Sequence, residues 1–431
     1  MNLFSLDISL FSIIAIAIAI IAAALALGPG LAPQRRVGRE ASSLPSSEST
    51  DEAITEETEV PESEETKTSS PEEATEIAGQ PTRDCPKASV IAYTPEDGEL
   101  LDEFIEMVCA QDYPDFELIL VLDAGAETRA MFVEKYASIP NIYLTFVPPG
   151  SQNLSRRKLA ITLGMKAAKG DVAVITTSIC HIPGARWLSG IMAPFEESKF
   201  TEVVLGYCHP DSEGATGLKG RYRNWYSGIT SMQWIGYALS GHPYRGDGFN
   251  IAFRRSLFFD HKGYARTINL HNGDDDLFVS EISNASNTKM VLLPSTRLTA
   301  MWGTLASKRW IDNRERYDFT SRWLPRGAFR RAGMLSLMQW VFIAGATACA
   351  LFSAPNLIPA IFSLIAIVLF FTAEIIVYRK ACSVTASRRL WFTIPLFMLW
   401  KPIGNFIFRW RHRRERIKNF TWRRHHSYYE H

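Results

Sequence analysis

Residues 88–123 read ASVIAYTPEDGELLDEFIEMVCAQDYPDFELILVLD. Two runs rich in aliphatic and β-branched residues, ASVIAY and ELILVLD, flank a stretch whose apolar residues recur at helical spacing over Leu100–Cys109. Strand, helix and strand in so short a segment describe a βαβ unit, whose crossover makes the two strands parallel. The alternation continues outward: a helix from Thr128, the run NIYLTFV, a helix over Ser155–Lys169, the strand DVAVITT, a helix around Trp187–Phe195 and the strand EVVLGY. The expected fold class is α/β, a mostly parallel sheet flanked by helices on both faces. Such sheets bind ligands beyond the carboxyl ends of their strands.

The chain has 431 residues, 47% of them apolar, enough for two or three domains. Its 46 Lys and Arg against 45 Asp and Glu exclude a dedicated nucleic-acid binder. The balance hides an asymmetry, because residues 41–80 hold twelve acids and a single base, Lys67, leaving the remainder strongly basic. Residues 31–84, dominated by Ser, Thr, Glu and Pro, are expected to form an acidic disordered linker. Cysteines 85, 109, 180, 208, 349 and 382 form no C-x-x-C pair, so neither a disulfide framework nor a structural zinc site is expected, and a reducing compartment fits.

Ile8–Leu27 is an uncharged, mostly apolar run of about 30 Å as a helix, long enough to cross a bilayer. No base precedes it in MNLFSLD, so an anchor (residues 1–30) is expected rather than a signal peptide. Arg35, Arg36 and Arg39 then place the chain beyond Leu27 on the cytoplasmic side. After the main domain (85–325), Met334–Phe352 and Leu357–Val377 read as a membrane hairpin joined by SAPN, with basic residues at both ends. Glu374 lies within a turn of that end, where it can reach the interface or pair with a base. Leu390–Phe408, broken by Pro395, Lys401, Pro402 and Gly404, is expected to be interfacial or re-entrant. It closes a membrane region (326–408) ahead of a basic cytoplasmic tail (409–431) held at anionic headgroups.

The first two strands end at Tyr93-Thr94-Pro95-Glu96 and Leu122-Asp123-Ala124-Gly125, which makes Asp123 a candidate base or ribose contact, or a turn residue. Arg156-Arg157-Lys158 open a helix, as phosphate contacts or as a solvated helix start. Further on, MQWIGYALSGHPYRGDGFNIAFRRSLFF (232–259) carries glycines at 246 and 248 that let backbone approach a ligand, with Asn250 and Arg254 just beyond. LHNGDDDLF (270–278) concentrates three aspartates, suited to general-base chemistry or to a helix N-terminus. KRWIDNRERY (308–317) is a basic helix, able to clamp phosphate or simply to lie beside a membrane.

Together with QDYPDFELILVLDAG and RRKLAITLGMKAAKGDV, these segments resemble, from Ala88 to Trp323, a family 2 glycosyltransferase of the GT-A fold and membrane-anchored bacterial type. The resemblance implies nucleotide-sugar contacts from Thr94, Glu96 and Asp123, with Lys158 near the diphosphate. It makes Asp274 the general base, Asp276 its companion and Asp275 the residue between them. Arg254 belongs to the acceptor-side segment, and Asn313, Arg316 and Tyr317 stand where the family has Gln-x-x-Arg-Trp, which binds acceptor or pyrophosphate. A divalent Mg or Mn ion is also implied, held by an Asp-x-Asp motif after DVAVITT, yet this chain reads Thr177-Ser178-Ile179-Cys180-His181 there. Hydroxyls and an isoleucine are not the carboxylates a hard cation needs, although His181 or Cys180 could contact a softer metal or phosphate.

The expected function is inverting transfer of a sugar from a nucleotide-sugar to a lipid-linked or glycan acceptor at the cytoplasmic face of the inner membrane. Membrane lipids are expected partners and nucleic acid is not. The alternative is a scaffold on the same fold without catalysis. A polysaccharide-synthesising channel would need more spans, and a dehydrogenase would need a G-x-G-x-x-G after the first strand.

Overall fold

The computed structural model describes residues 10–44, 85–95, 100–150, 154–211, 217–303, 306–352, 357–387 and 389–412. The expected linker from residue 45 to 84, Glu96, the SAPN turn and the tail from residue 413 lie outside these. The β-branched runs form strands β1 (Ala88–Pro95), β2 (Phe116–Asp123), β3 (Ile142–Phe146) and β4 (Val172–Thr177). Helices α3 (Leu101–Cys109), α4 (Ala126–Tyr136) and α5 (Arg156–Ala167) connect them, following α1 (Leu10–Leu25) and α2 (Ala32–Ser43). Period-two alternation sorts the side chains. Val90, Leu118, Leu120 and Phe104 are buried in a cluster on one face, while Ile91, Ile119, Val121 and Ile161 are buried on the other. Each such side chain contributes about 1.5–3 kcal/mol when fully buried.

The seven-stranded sheet has the order β3-β2-β1-β4-β8-β6-β9. Here β6 is Val203–Leu205, β8 is Ile251–Arg254 and β9 is Thr288–Met290. Parallel pairs join β1 to β2 and β4, β2 to β3, and β6 to β9, whereas β8 runs antiparallel to both β4 and β6. The expected mostly parallel sheet is therefore present, with one inserted reversed strand that the sequence reading leaves inside the 232–259 segment. At four residues, β8 is too short for its alternation to stand out. A second sheet, β5 (Cys180–His181), β10 (Leu298–Ala300) and β7 (Cys208–Pro210), continues from the carboxyl end of β4. The remaining helices of this domain are α6 (Trp187–Glu197), α7 (Gly217–Ala238), α8 (Arg255–Asp260), α9 (Leu277–Ile282) and α10 (Ala306–Thr320).

Three more helices complete the chain: α11 (Arg326–Phe352), α12 (Leu357–Thr385) and α13 (Thr393–Arg411). By length and composition α11 and most of α12 can each cross a membrane, and the bent pair formed by the N-terminal apolar helix and α2 counts as a third candidate. On α12, Ile361, Phe362, Leu364 and Leu369 are exposed, a contiguous apolar surface that suits hydrocarbon and not water. Two expectations change. The linker expected over 31–84 begins instead with the packed helix α2, because Val37, Ala41 and Leu44 fall at i, i+4 and i+7 on one stripe against α7 and α12. Glu374 is not exposed for pairing at a helix end: it is buried between α11 and α12, where Gln339 Nε2 donates to its Oε1 at 2.6 Å.

Candidate active site

The carboxyl edge of the parallel strands collects the first group of expected ligand residues. Register places Tyr93 beside Thr177 and Pro95 beside Asp123. Asp123 is buried and held on both sides: Arg156 Nε donates to Oδ1 at 3.0 Å and Oδ2 at 2.8 Å, and the Tyr93 hydroxyl donates to Oδ2 at 2.9 Å. Thr94 is fully buried, with its hydroxyl unpartnered. At the end of β4, where the family resemblance calls for Asp-x-Asp, the Thr177 hydroxyl donates to Tyr93 O at 2.8 Å, as does the Ser178 amide at 3.3 Å. Thr177, Ser178 and Ile179 thus offer no carboxylate, and the Thr177 hydroxyl is turned inward. Among the described residues no cluster of three His, Cys, Asp or Glu could hold a metal ion. This donor set does not fit Mg or Mn.

The three cations that open α5 each serve a different internal partner. Arg156 takes Asp123. Arg157 pairs through Nε with Asp274 Oδ2 at 2.9 Å, donates from Nη2 to Gly248 O at 2.5 Å and lies over the Phe249 ring. Lys158 is completely buried, and its ammonium donates to the carbonyls of Thr267, Leu270 and Asn272 at 2.6, 3.2 and 2.9 Å. Burial lowers its pKa to about 8, against the pull of Asp274 and Asp276. Lys158 is therefore a fastener for the loop that carries the acidic cluster, not a diphosphate contact. Arg254 is also displaced from its expected role. Because β8 is antiparallel, its last residue pairs with Val172 at the start of β4, the edge opposite the ligand side. There Arg254 donates to Thr201 O at 2.9 Å.

The acidic cluster turns at Gly273, whose φ of +103° is open to glycine and strained for other residues. Its three carboxylates then diverge. Asp274 is buried in ion pairs with Arg157 and with Arg316, whose Nη2 lies 2.7 Å from Oδ1. Burial would raise its pKa, but Arg316, Arg157 and Lys158 outweigh that and hold it at about 2. Asp276 sits at the N-cap of α9, accepting from the Leu277 amide at 2.7 Å and from the Thr320 hydroxyl, and burial together with Asp275 pushes it up to about 6. Asp275 alone of the three lines the large cavity. Arg316 Nη2 (2.7 Å), the Tyr317 hydroxyl (2.6 Å) and the Gly248 amide (3.2 Å) donate to its carboxylate. A Cβ at Gly248 would lie 2.9 Å from Arg157 Nη2 and 3.0 Å from Asp275 Cβ, so this approach requires glycine. The base expected at Asp274 is thus off the cavity, and the member of the cluster that lines it is one residue on.

That cavity, about 900 Å³, lies between the sheet domain and helices α11 and α13. Of the residues expected on α10, Asn313, Arg316 and Tyr317 all line it. Sequence reasoning missed two others, Arg245 and Asp247. Arg245 stacks on the Tyr317 ring at 3.2 Å, and its Nε is buried without a partner. Among the described residues the Asp247 carboxylate accepts two long bonds, from the amides of Cys208 (3.3 Å) and Phe249 (3.4 Å), and burial pushes its pKa up to about 6, with Arg245 opposing and Asp275 adding to the rise. The available signal was its place between the glycines at 246 and 248.

No protein family and no curated protein matches this chain. Solved structures similar to it include the mannosyltransferase PcManGT from Pyrobaculum calidifontis in complex with GDP-Man and Mn2+, at 16% identity and a TM-score of 0.49, covering 91% of this chain and 99% of that one. S. aureus TarS 1–349 is similar at 14% identity and 0.37, covering 74% and 92%. Glucosyl-3-phosphoglycerate synthase from Mycobacterium tuberculosis, in complex with Mn2+, UDP and glucosyl-3-phosphoglycerate, is similar at 14% identity and 0.32, covering 50% and 71%. These likenesses are distant in both sequence and shape.

Proposed function

We propose that the protein is a membrane-anchored, inverting glycosyltransferase of the GT-A type. It moves a sugar from a nucleoside-diphosphate sugar at the carboxyl edge of the sheet to a hydroxyl of a membrane-associated acceptor in the cavity, with the sheet domain in the cytoplasm. The observation that carries this reading is Asp275, a carboxylate on the wall of a cavity shared by the sheet domain and two apolar helices. An acceptor hydroxyl attacks poorly until its proton is removed. In the proposed step the acceptor oxygen bonds to the anomeric carbon, the bond to the diphosphate breaks on the opposite face, and the proton passes to Asp275. Arg316 faces the same carboxylate and stabilises negative charge as the leaving group departs. Asp247, whose carboxylate accepts two long bonds among the described residues, accepts a hydrogen bond from a second acceptor hydroxyl and holds it in line.

Incubating the purified full chain with a panel of labelled nucleotide-sugars and membrane lipid extract tests this. Labelled product with stoichiometric release of nucleoside diphosphate is expected for at least one donor. A scaffold on this fold would bind nucleotide and release nothing, and that outcome with every donor would sink the enzymatic reading.

A further inference from the structure

Two cations lining the cavity form no ion pair among the described residues. Arg314 of α10 donates from Nη2 to Asn405 Oδ1 at 2.7 Å and lies over the rings of Phe408, Tyr226 and Trp310 at 3.9, 4.5 and 5.3 Å. It makes no ion pair among the described residues. Lys401 of α13 lines the same cavity and has neither a hydrogen bond nor an ion pair among the described residues. Glu374 of α12, an acid whose charge acts on it, forms no ion pair with it. The cavity's other cations are occupied differently: Arg316 pairs with Asp274 and Asp275, Arg409 with Asp318, and Arg245 stacks on Tyr317.

Two like charges in one partly buried wall repel, and an uncompensated buried charge is costly. A dianionic or monoanionic phosphate between them would remove that cost. The surroundings select the kind of phosphate. Leu337, Trp340, Ile403 and Phe406 give the same cavity an apolar wall on α11 and α13, continuous with helices suited to hydrocarbon.

We propose that Arg314 and Lys401 form an anion subsite for the phosphate of a lipid-linked acceptor. The lipid chain lies along the α11–α13 wall and the hydroxyl-bearing head extends toward Asp275. This names the acceptor class of the transferase proposed above and rests on that reading for the head's role, but not for phosphate binding itself.

The test titrates the full chain, in a neutral maltoside detergent and without nucleotide, with dodecyl phosphate, dodecanol and inorganic phosphate. Dodecyl phosphate is expected to bind at least about tenfold more tightly than either of the others, the scale of one charge-assisted contact. Lys401→Gln should weaken it by about tenfold and Lys401→Arg should restore it, separating loss of charge from loss of fold. Equal binding of dodecanol, or wild-type affinity in Lys401→Gln, overturns the subsite. Inorganic phosphate binding as tightly as dodecyl phosphate overturns the lipid as its source. If dodecyl phosphate binds as expected while no nucleotide-sugar is ever consumed, the subsite stands and the glycosyltransferase reading falls.

Discussion

The carboxyl edge of the sheet and the cavity beside it are built from the same kinds of residue but finish in opposite electrostatic states. At the edge, Asp123 is closed off by Arg156 and Tyr93, and the Thr177 hydroxyl is turned onto Tyr93 O. In the cavity, among the described residues, Arg314 and Lys401 form no ion pair, and the Asp247 carboxylate accepts two long bonds. Groups already paired at short range hold shape and contribute little to a new ligand, whereas groups left unpaired at a cost in stability are released from that cost when the ligand arrives. The edge is therefore suited to positioning a donor through shape and backbone, and Arg314, Lys401 and Asp247 to holding an acceptor, beside the short Asp275–Arg316 pair that meets the charge moved in transfer. Arg157, adjacent to Arg156, joins the two regions by holding Asp274 and Gly248 O.

The largest effect that can break this contrast is on the acidic cluster. Asp275→Asn keeps shape but removes the lone pair that takes the acceptor's proton, and kcat should fall about 10²–10⁴-fold with donor affinity retained. Asp274→Asn should act through stability instead. It removes the buried counter-charge of Arg157 and one of the two that Arg316 has, Asp275 remaining, at a cost of about 3–5 kcal/mol, seen as a lower denaturation midpoint. Should Asp274→Asn lose turnover while keeping its midpoint, and Asp275→Asn keep turnover, the base is Asp274 after all.

Next in size is the response to pH. With a folded value of about 6, Asp247 is ionised above that pH and protonated below it. A protonated carboxyl accepts hydrogen bonds poorly, so kcat/KM should fall by about tenfold per unit as pH drops below about 6. The sign for stability is the reverse: because the folded pKa lies above the unfolded value, Asp247 favours the fold at low pH and loses that contribution as pH rises through about 6. Asp247→Asn should lower activity and flatten the acidic limb. Asp276, also near 6 but fully buried as a helix cap, would be responsible if the limb survives that change.

A smaller effect is expected at the edge. Asp123→Asn weakens the hold on Arg156, so the donor KM should rise about threefold to tenfold with kcat nearly unchanged, the pattern of a ground-state contact. A matching fall in kcat would show that the edge also acts in the transition state.

The contrast also explains which parts of the molecule were legible in its sequence. Strands β1 to β4 are long enough for alternation to reveal them, and the βαβ order then dictates which edge holds the site. The acidic cluster was visible, but the choice among its members depends on the turn at Gly273 and on which partners α10 presents, neither of which is local in sequence. Lys158 looked like a phosphate ligand because a lysine's three donors suit phosphate and carbonyls equally. Arg254 was misplaced by the unseen reversal of β8, and α2 was hidden because its short apolar stripe was averaged into an acidic, Ser-rich stretch.

The smallest expected effect concerns divalent metal. A hard cation bridging phosphates takes carboxylate oxygens, and the end of β4 supplies Thr177, Ser178 and Ile179, with the Thr177 hydroxyl and the Ser178 amide donating to Tyr93 O. The acidic cluster is no substitute, since Asp275 is held by Arg316, Tyr317 and Gly248, and Asp274 by two guanidinium groups. Diphosphate charge would then be met by guanidinium, which remains charged throughout the working pH range. Transfer by the full chain should change by less than about twofold when a chelator is added or Mg and Mn are supplied, well under the tenfold that 1.4 kcal/mol represents. Strong metal dependence that survives in Asp275→Asn as metal-assisted nucleotide binding would place a cation at the edge through ligands other than Thr177 and Ser178. It would make the edge, not the cavity, the centre of charge stabilisation.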